Sequence, residues 1–265
     1  VVKALQALGW AERPVKFILA GDEDKGHFDA DTPQLLIRLA KGALCCFNME
    51  TGRVNNDICI GRKGGGEGEL TVRGAAAHAG NDFLSGRNAV LEMAYKEIEL
   101  AELNDLELGT TVTPTVIKGG TVPNGIPDHC HLYFDVRYRK FEEAQRVKEA
   151  FERIAAHSHI DGTHTDCIYK EYQVPFDETP DGIALADFVA EVSRELGMGD
   201  MGKINLGGGS DACYFTIAGV PTICAMGVCG QFNHSSKEYA LVETLYTRAK
   251  LLTCAVLDLE KFVQR

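Results

Sequence analysis

The chain has 265 residues, 45% hydrophobic and 25% charged, with a formal net charge of −11 and a pI near 5.2. That is enough apolar sequence for a sizeable core in one or two domains, and the acidic balance argues against nucleic acid or an anionic membrane surface as a partner. No stretch approaches the ~18 apolar residues that a membrane span needs, and nine cysteines without a CxxC pair point to reduced thiols and a cytoplasmic location.

Three blocks follow one another along the chain. The first, residues 1–66, alternates helix and strand. Residues 1–8 read as the tail of an amphipathic helix, with neither an initiator Met nor a signal-peptide pattern, so the sequence is expected to be a fragment of a longer chain. An apolar run over 15–20 predicts a buried strand that ends in Asp22, Glu23 and Asp24. Adjacent carboxylates repel one another, so such a cluster needs water or a cation. Thr32 as a cap and Pro33 in the first turn predict a helix over 34–41. A second apolar strand is expected over 43–49, ending at Glu50.

Apolar strands separated by helices imply a parallel sheet covered on both faces, with the ligand site beyond the strands' carboxyl ends. The acidic cluster and Glu50 both occupy such ends. The Gly-rich stretch 61–66 is expected to be a hinge or linker. It lacks the G-x-G-x-x-G order of a nucleotide loop.

The second block, 67–172, predicts strands over 69–73, 110–118, 128–138 and 165–172, with helices over 88–103 and 141–157. This βαββαβ order is the ferredoxin-like motif. Along 128–138, Cys130, Leu132, Phe134, Val136 and Tyr138 alternate with polar residues, as in an antiparallel sheet with one open face. Such a face and its edge are common means of dimerisation. The third block, 173–265, returns to α/β character. It predicts a helix over 182–196, a Gly-rich turn entering a short helix, a strand over 220–226, a polar loop around His234 and a long helix over 241–262. The first and third blocks are expected to fold together around the second.

The mixed set Glu23, Asp24, Glu50, Asp211 and His234 suits zinc or a similar divalent ion. Seven motifs then resemble, in order and spacing, the zinc-dependent glutamate carboxypeptidase/aminoacylase family of metallopeptidases (carboxypeptidase G-like, peptidase T-like). They are GDEDKG at 21–26, Glu50 after its strand, RGAAAHAG at 73–80, GGTVPNGIP at 119–127, FDVR at 134–137, GGGSDA at 207–212 and Asn233-His234-Ser235.

The resemblance implies a zinc-exopeptidase-like α/β/α catalytic domain with an inserted ferredoxin-like lid or dimerisation domain. It implies Glu23 as general base, and Asp24, Glu50 and His234 as ligands of two zinc ions, with cobalt or manganese as substitutes. His78 is implied to hydrogen-bond the scissile carbonyl in a neighbouring subunit's site, Asn124 and Arg137 to hold a substrate carboxylate, and Gly208 and Gly209 to line the pocket. The implied partners are a small peptide or N-acyl amino acid and a second copy of the chain.

Read from the residues alone, Asp211 is expected to cap the helix after Gly209, and Arg137 has a surface ion pair as its alternative. His27, His129, His131, His157, His159 and His164 are expected to take no part in catalysis. Asp24 stands where the family commonly has Glu. The family's His-x-Asp motif and bridging Asp are expected ahead of residue 1, so the chain alone is expected to bind zinc weakly or not at all and to be inactive. The expected activity of the complete protein is hydrolysis of an amide bond beside a free carboxylate. Removal of an N-acyl group is the near alternative, and a catalytically incomplete dimerisation piece is the distant one.

Overall fold

The structure is a computed structural model and describes residues 1–25, 27 and 31–264. The chain forms two compact units, Val1–Arg62 with Phe176–Arg265, and Lys63–Pro175.

In the first unit, helix α1 (Val2–Ala7) is followed by a turn, a bend and then a stretch without regular structure. The strand expected over 15–20 does not form: no ladder reaches it among the described residues, and Phe17 and Leu19 are 69% and 83% exposed. An apolar run favours a strand only where a neighbouring strand supplies hydrogen bonds. Helix α2 (Thr32–Ala40) carries Pro33 in its first turn, as its sequence predicts. Thr32 is inside the helix rather than at its cap, and its hydroxyl donates to Asp22 Oδ2 at 2.9 Å. Strands β1 (Cys46–Phe47) and β2 (Ile58–Arg62) complete this segment.

The second unit opens with β3 (Gly64–Arg73) and β4 (Ala77–His78). The Gly-rich stretch 61–66 is mostly strand, the end of β2 and the start of β3, and the division between the two units falls within it, at Arg62/Lys63. A Cβ on Gly64 would lie 2.7 Å from Gln173 O, and one on Gly66 would lie 2.5 Å from Lys170 O. The glycines let neighbouring backbone close in.

Helix α3 (Ala89–Ala101) is capped by Asn88, whose side chain accepts from the amides of Val90 and Leu91. Then come β5 (Thr111–Gly119), β6 (Gly125–Ile126), β7 (His129–Tyr138), α4 (Phe141–Ala156) and β8 (His164–Gln173). The four long strands form an antiparallel sheet in the order β5-β7-β3-β8, the ferredoxin-like arrangement. The inward residues of β7 alternate as predicted, and they pack with Val147, Phe151 and Ile154 of α4. Phe141, the first residue of α4, is 59% exposed.

The first unit resumes with α5 (Pro180–Glu195), capped by Thr179, and β9 (Lys203–Leu206). It continues through α6 (Ala212–Ile217), β10 (Thr222–Ile223), the hairpin β11 (Gly230–Gln231) and β12 (Tyr239–Ala240), and helices α7 (Glu243–Leu257) and α8 (Leu259–Val263). The expected long C-terminal helix breaks at Asp258, whose backbone leaves helical geometry.

β1 pairs with β10 and β2 with β9, both parallel, as expected for this unit. The ladders are shorter than predicted. Ala225 has φ +63°, which turns the chain out of register after Ile223. The core beneath them gathers Ile58, Ile60, Leu185, Val189, Ile223 and Leu252.

Candidate active site

The acidic turn after residue 20 is a short 3-10 turn, Glu23–Lys25. Glu23 is partly buried, and its carboxyl is pushed up to about 7. Burial is the largest cause, followed by the like charges of Glu50, Asp211 and Asp24, while Arg62 pulls the other way. Side chains from four separate stretches of sequence thus share one electrostatic neighbourhood.

Glu50 follows β1, where parallel pairing with β10 positions it. Its amide donates to Asn48 Oδ1 at 3.2 Å, and its carbonyl accepts from the Gly227 amide at 2.9 Å. Asp211 stands at the start of α6 but makes no side-chain cap bond. Instead its Oδ1 lies 2.7 Å from His27 Nε2, and Ser210 Oγ accepts from the Ala212 amide. The expected capping role of Asp211 is therefore replaced by a buried ion-pair geometry. His27 is itself buried, at φ +56°, with Nδ1 3.0 Å from Asp22 Oδ2. Burial opposes its charge, but Asp211 and Asp22 outweigh that and raise its pKa.

Arg62, at the end of β2, donates from Nη1 to the carbonyls of Gly208 and Gly209 at 3.4 and 3.2 Å. The loop that the resemblance assigns to the pocket lining thus also holds the Arg62 guanidinium. Neither His27 nor Arg62 was singled out for the site from the sequence. The signal for His27 was its position three residues after the acidic triplet; Arg62 stood inside the stretch read as a linker.

His234 lies in the β11–β12 loop at φ +63°, exposed, with its amide donating to Glu238 Oε2 at 3.2 Å. Asp24, Glu50 and His234 do not form a group of three with ligand atoms within 4.8 Å of one another; among the described residues only Glu99, His157 and His159 do. The carboxylate cluster nonetheless fits a divalent ion in charge, because the like charges of Glu50, Asp211 and Asp24 add to burial in disfavouring the Glu23 anion.

In the second unit, a cavity of about 570 Å³ is lined by residues 76–78, 118–122 and 124–129, among them His78, Lys118 and Asn124. The β4–β6 pairing brings His78 opposite Gly125, and the Ala79 amide donates to Asn124 O at 2.9 Å. His78 Nδ1 accepts from the amides of Gly80 and Asn81 at 3.1 and 3.0 Å. A neutral ring so held carries its proton on Nε2. Arg137 forms a two-pronged pair with Asp135, both contacts at 3.0 Å, and lies over the Tyr172 ring. The surface ion pair weighed for Arg137 is what the sheet face shows.

Residues 60–163 match the M20 peptidase dimerisation domain. Carboxypeptidase G2 of Pseudomonas sp. (strain RS-16) is 27% identical over 241 residues, which covers 90% of this chain and 57% of that protein. Among solved structures, aminopeptidase PepT from Bacillus cereus superposes with a TM-score of 0.77 at 25% identity, over 95% of this chain and 66% of that one. Bacillus subtilis YXEP, described as a dinuclear metal-binding peptidase of the M20 family, shares the fold with a TM-score of 0.56 at 15% identity. It is matched over 83% of this chain and 59% of its own. The chain spans less than two thirds of the length of each of these relatives.

Proposed function

We propose that this relative of the M20 metallopeptidases is part of a zinc-dependent amide hydrolase in which Glu23 is the general base. The observation that carries the reading is the convergence of Glu23, Asp24, Glu50 and Asp211, from three separate stretches of sequence, on one partly buried neighbourhood. A carboxylate beside a metal-bound water can accept its proton and relay it. Two zinc ions, held by Asp24, Glu50 and His234 together with ligands from outside this sequence, would polarise the scissile carbonyl and acidify water.

The chain's own residues divide the remaining work. Glu23 takes the proton of the attacking water and holds it on its carboxylate until the leaving nitrogen needs it. Asp211 and Asp22 fix His27, which braces the acidic turn. His78 offers Nε2–H to the carbonyl oxygen; in a homodimer it would serve the partner's substrate. Arg137 offers a forked donor to a terminal carboxylate once it exchanges Asp135 for substrate, with Asn124 beside His78.

The preferred substrate is a small peptide whose scissile bond lies next to a free carboxylate, with N-acyl amino acids as the alternative. The protein is expected to act in the cytoplasm; among the described residues no helix is long and apolar enough to cross a membrane. Exposed Val116 and Ile117 on the edge strand β5, with Leu91, Tyr95 and Ile98 on α3, offer an apolar surface for the second copy.

A second reading, a dimerisation piece with an incomplete site, is favoured by the separation of Asp24, Glu50 and His234. The two part in one experiment. Metal content and hydrolysis of dipeptides and N-acyl amino acids are measured on residues 1–265 and on a longer chain. Metal-dependent hydrolysis by the longer chain, lost in Glu23→Gln, supports the enzyme. A longer chain that neither binds metal nor hydrolyses any member of the panel overturns it.

A further inference from the structure

We infer that Glu99, His157 and His159 form a second divalent-metal site, of zinc type, within the ferredoxin-like unit. Glu99 projects from α3. His157 is the residue that ends α4, and His159 follows two positions later. Their ligand atoms all lie within 4.8 Å of one another. His159 Nε2 is 3.0 Å from Glu99 Oε1, and the two imidazoles meet edge to face at 4.6 Å between centroids. Glu99 Oε2 is buried and accepts no hydrogen bond among the described residues. Two imidazoles and a carboxylate, with a fourth position left to water, are a zinc donor set.

The spacing suits an ion. Tetrahedral bonds of about 2.0–2.1 Å place ligand atoms about 3.3 Å apart, so an ion taking the place of the proton between His159 and Glu99 opens that contact by only a few tenths of an ångström. His157 must approach through a change in its side-chain torsions alone.

The backbone that carries both histidines is already fixed. The amides of His159 and Ile160 donate to Glu92 Oε2 at 2.9 and 2.7 Å. Lys96, fully buried, pairs with Glu92 at 3.1 Å and donates to the carbonyls of Ile154 and His157. Tyr95 stacks on the His159 ring at 4.8 Å and sets its plane. A backbone held by partners outside the ligand set before the ion arrives is what a metal site requires beyond composition. All these residues belong to the second unit, whereas Glu23, Asp24, Glu50 and His234 belong to the first.

The test uses metal alone on the full 265-residue chain. Zn²⁺ stoichiometry is measured by equilibrium dialysis, and Co²⁺ is added as a coloured substitute whose visible bands report tetrahedral nitrogen and oxygen ligation. The parent and the D24N/E50Q variant should both bind the ion at this site and show the bands. The H157N/H159N variant should lose one equivalent and the bands. Should that variant misfold by circular dichroism, Glu99→Gln, of equal size, should weaken binding at least tenfold. Equal stoichiometry and equal Co²⁺ spectra in parent, H157N/H159N and E99Q overturn the site.

Discussion

Asp211 Oδ1 lies 2.7 Å from His27 Nε2, joining positions 184 residues apart beneath the acidic turn. The contact ties the Gly-rich loop before α6 to the segment that carries Glu23. Its other end is Asp22, so the imidazole sits between two carboxylates.

His27→Ala should therefore destabilise the first unit by about 3 kcal/mol at pH 6, since it leaves Asp211 buried and unpaired. The folded-state pKa of His27 is raised. Its contribution is then complete below the unfolded value of about 6.5 and disappears as pH rises through the folded value. Urea unfolding at pH 6 and pH 9 should show a smaller penalty at the higher pH. A penalty that grows with pH would refute the ion pair.

Glu23→Gln should lower turnover by about two to four orders of magnitude if Glu23 is the base. It should also change stability in the opposite sense. A carboxyl raised to about 7 favours the fold below its unfolded pKa of about 4.3, and loses that advantage as pH rises through 7. The Gln variant should thus be more stable than the parent at pH 8, by about 1 kcal/mol after screening, and no more stable at pH 4. Thermal unfolding at the two pH values decides it.

Arg62→Ala removes two hydrogen bonds to the carbonyls of Gly208 and Gly209. A loss of about 1–3 kcal/mol is expected for bonds from a charged donor. The same guanidinium lowers the Glu23 pKa. The acid limb of the pH–rate profile should consequently move to higher pH in the variant. An unmoved limb would separate Arg62 from the base.

Arg137→Lys keeps the charge but loses the fork. The value of kcat/KM for substrates with a free carboxylate should fall at least tenfold, with little change for the same substrates amidated. Asp135→Ala, which releases the guanidinium from its present partner, should strengthen carboxylate binding. Equal losses on both substrate forms would place Arg137 outside the recognition site.

The ferredoxin-like unit was legible because its signals are local. Alternation in 128–138 and the apolar stripe of 141–157 each specify a face without reference to any distant residue. The first unit depends on pairing instead. The run at 15–20 has the composition of a strand, but its composition says nothing about a partner. The strand at 58–62 hid behind Gly61 and the glycines that follow. At the site, the acids stood out as a cluster, whereas His27 meets Asp211, and Arg62 the carbonyls of Gly208 and Gly209, across about 150 or more positions of sequence.

Lys96 gives the ferredoxin-like unit a shared fate for its two helices. Its ammonium belongs to α3, yet it terminates α4 by taking up the carbonyls at the negative end of that helix's dipole. Neither helix can fray at that end without stranding a desolvated charge, so the amides near residue 157 should exchange with deuterium in concert with those of α3 rather than at the faster pace of an ordinary helix terminus.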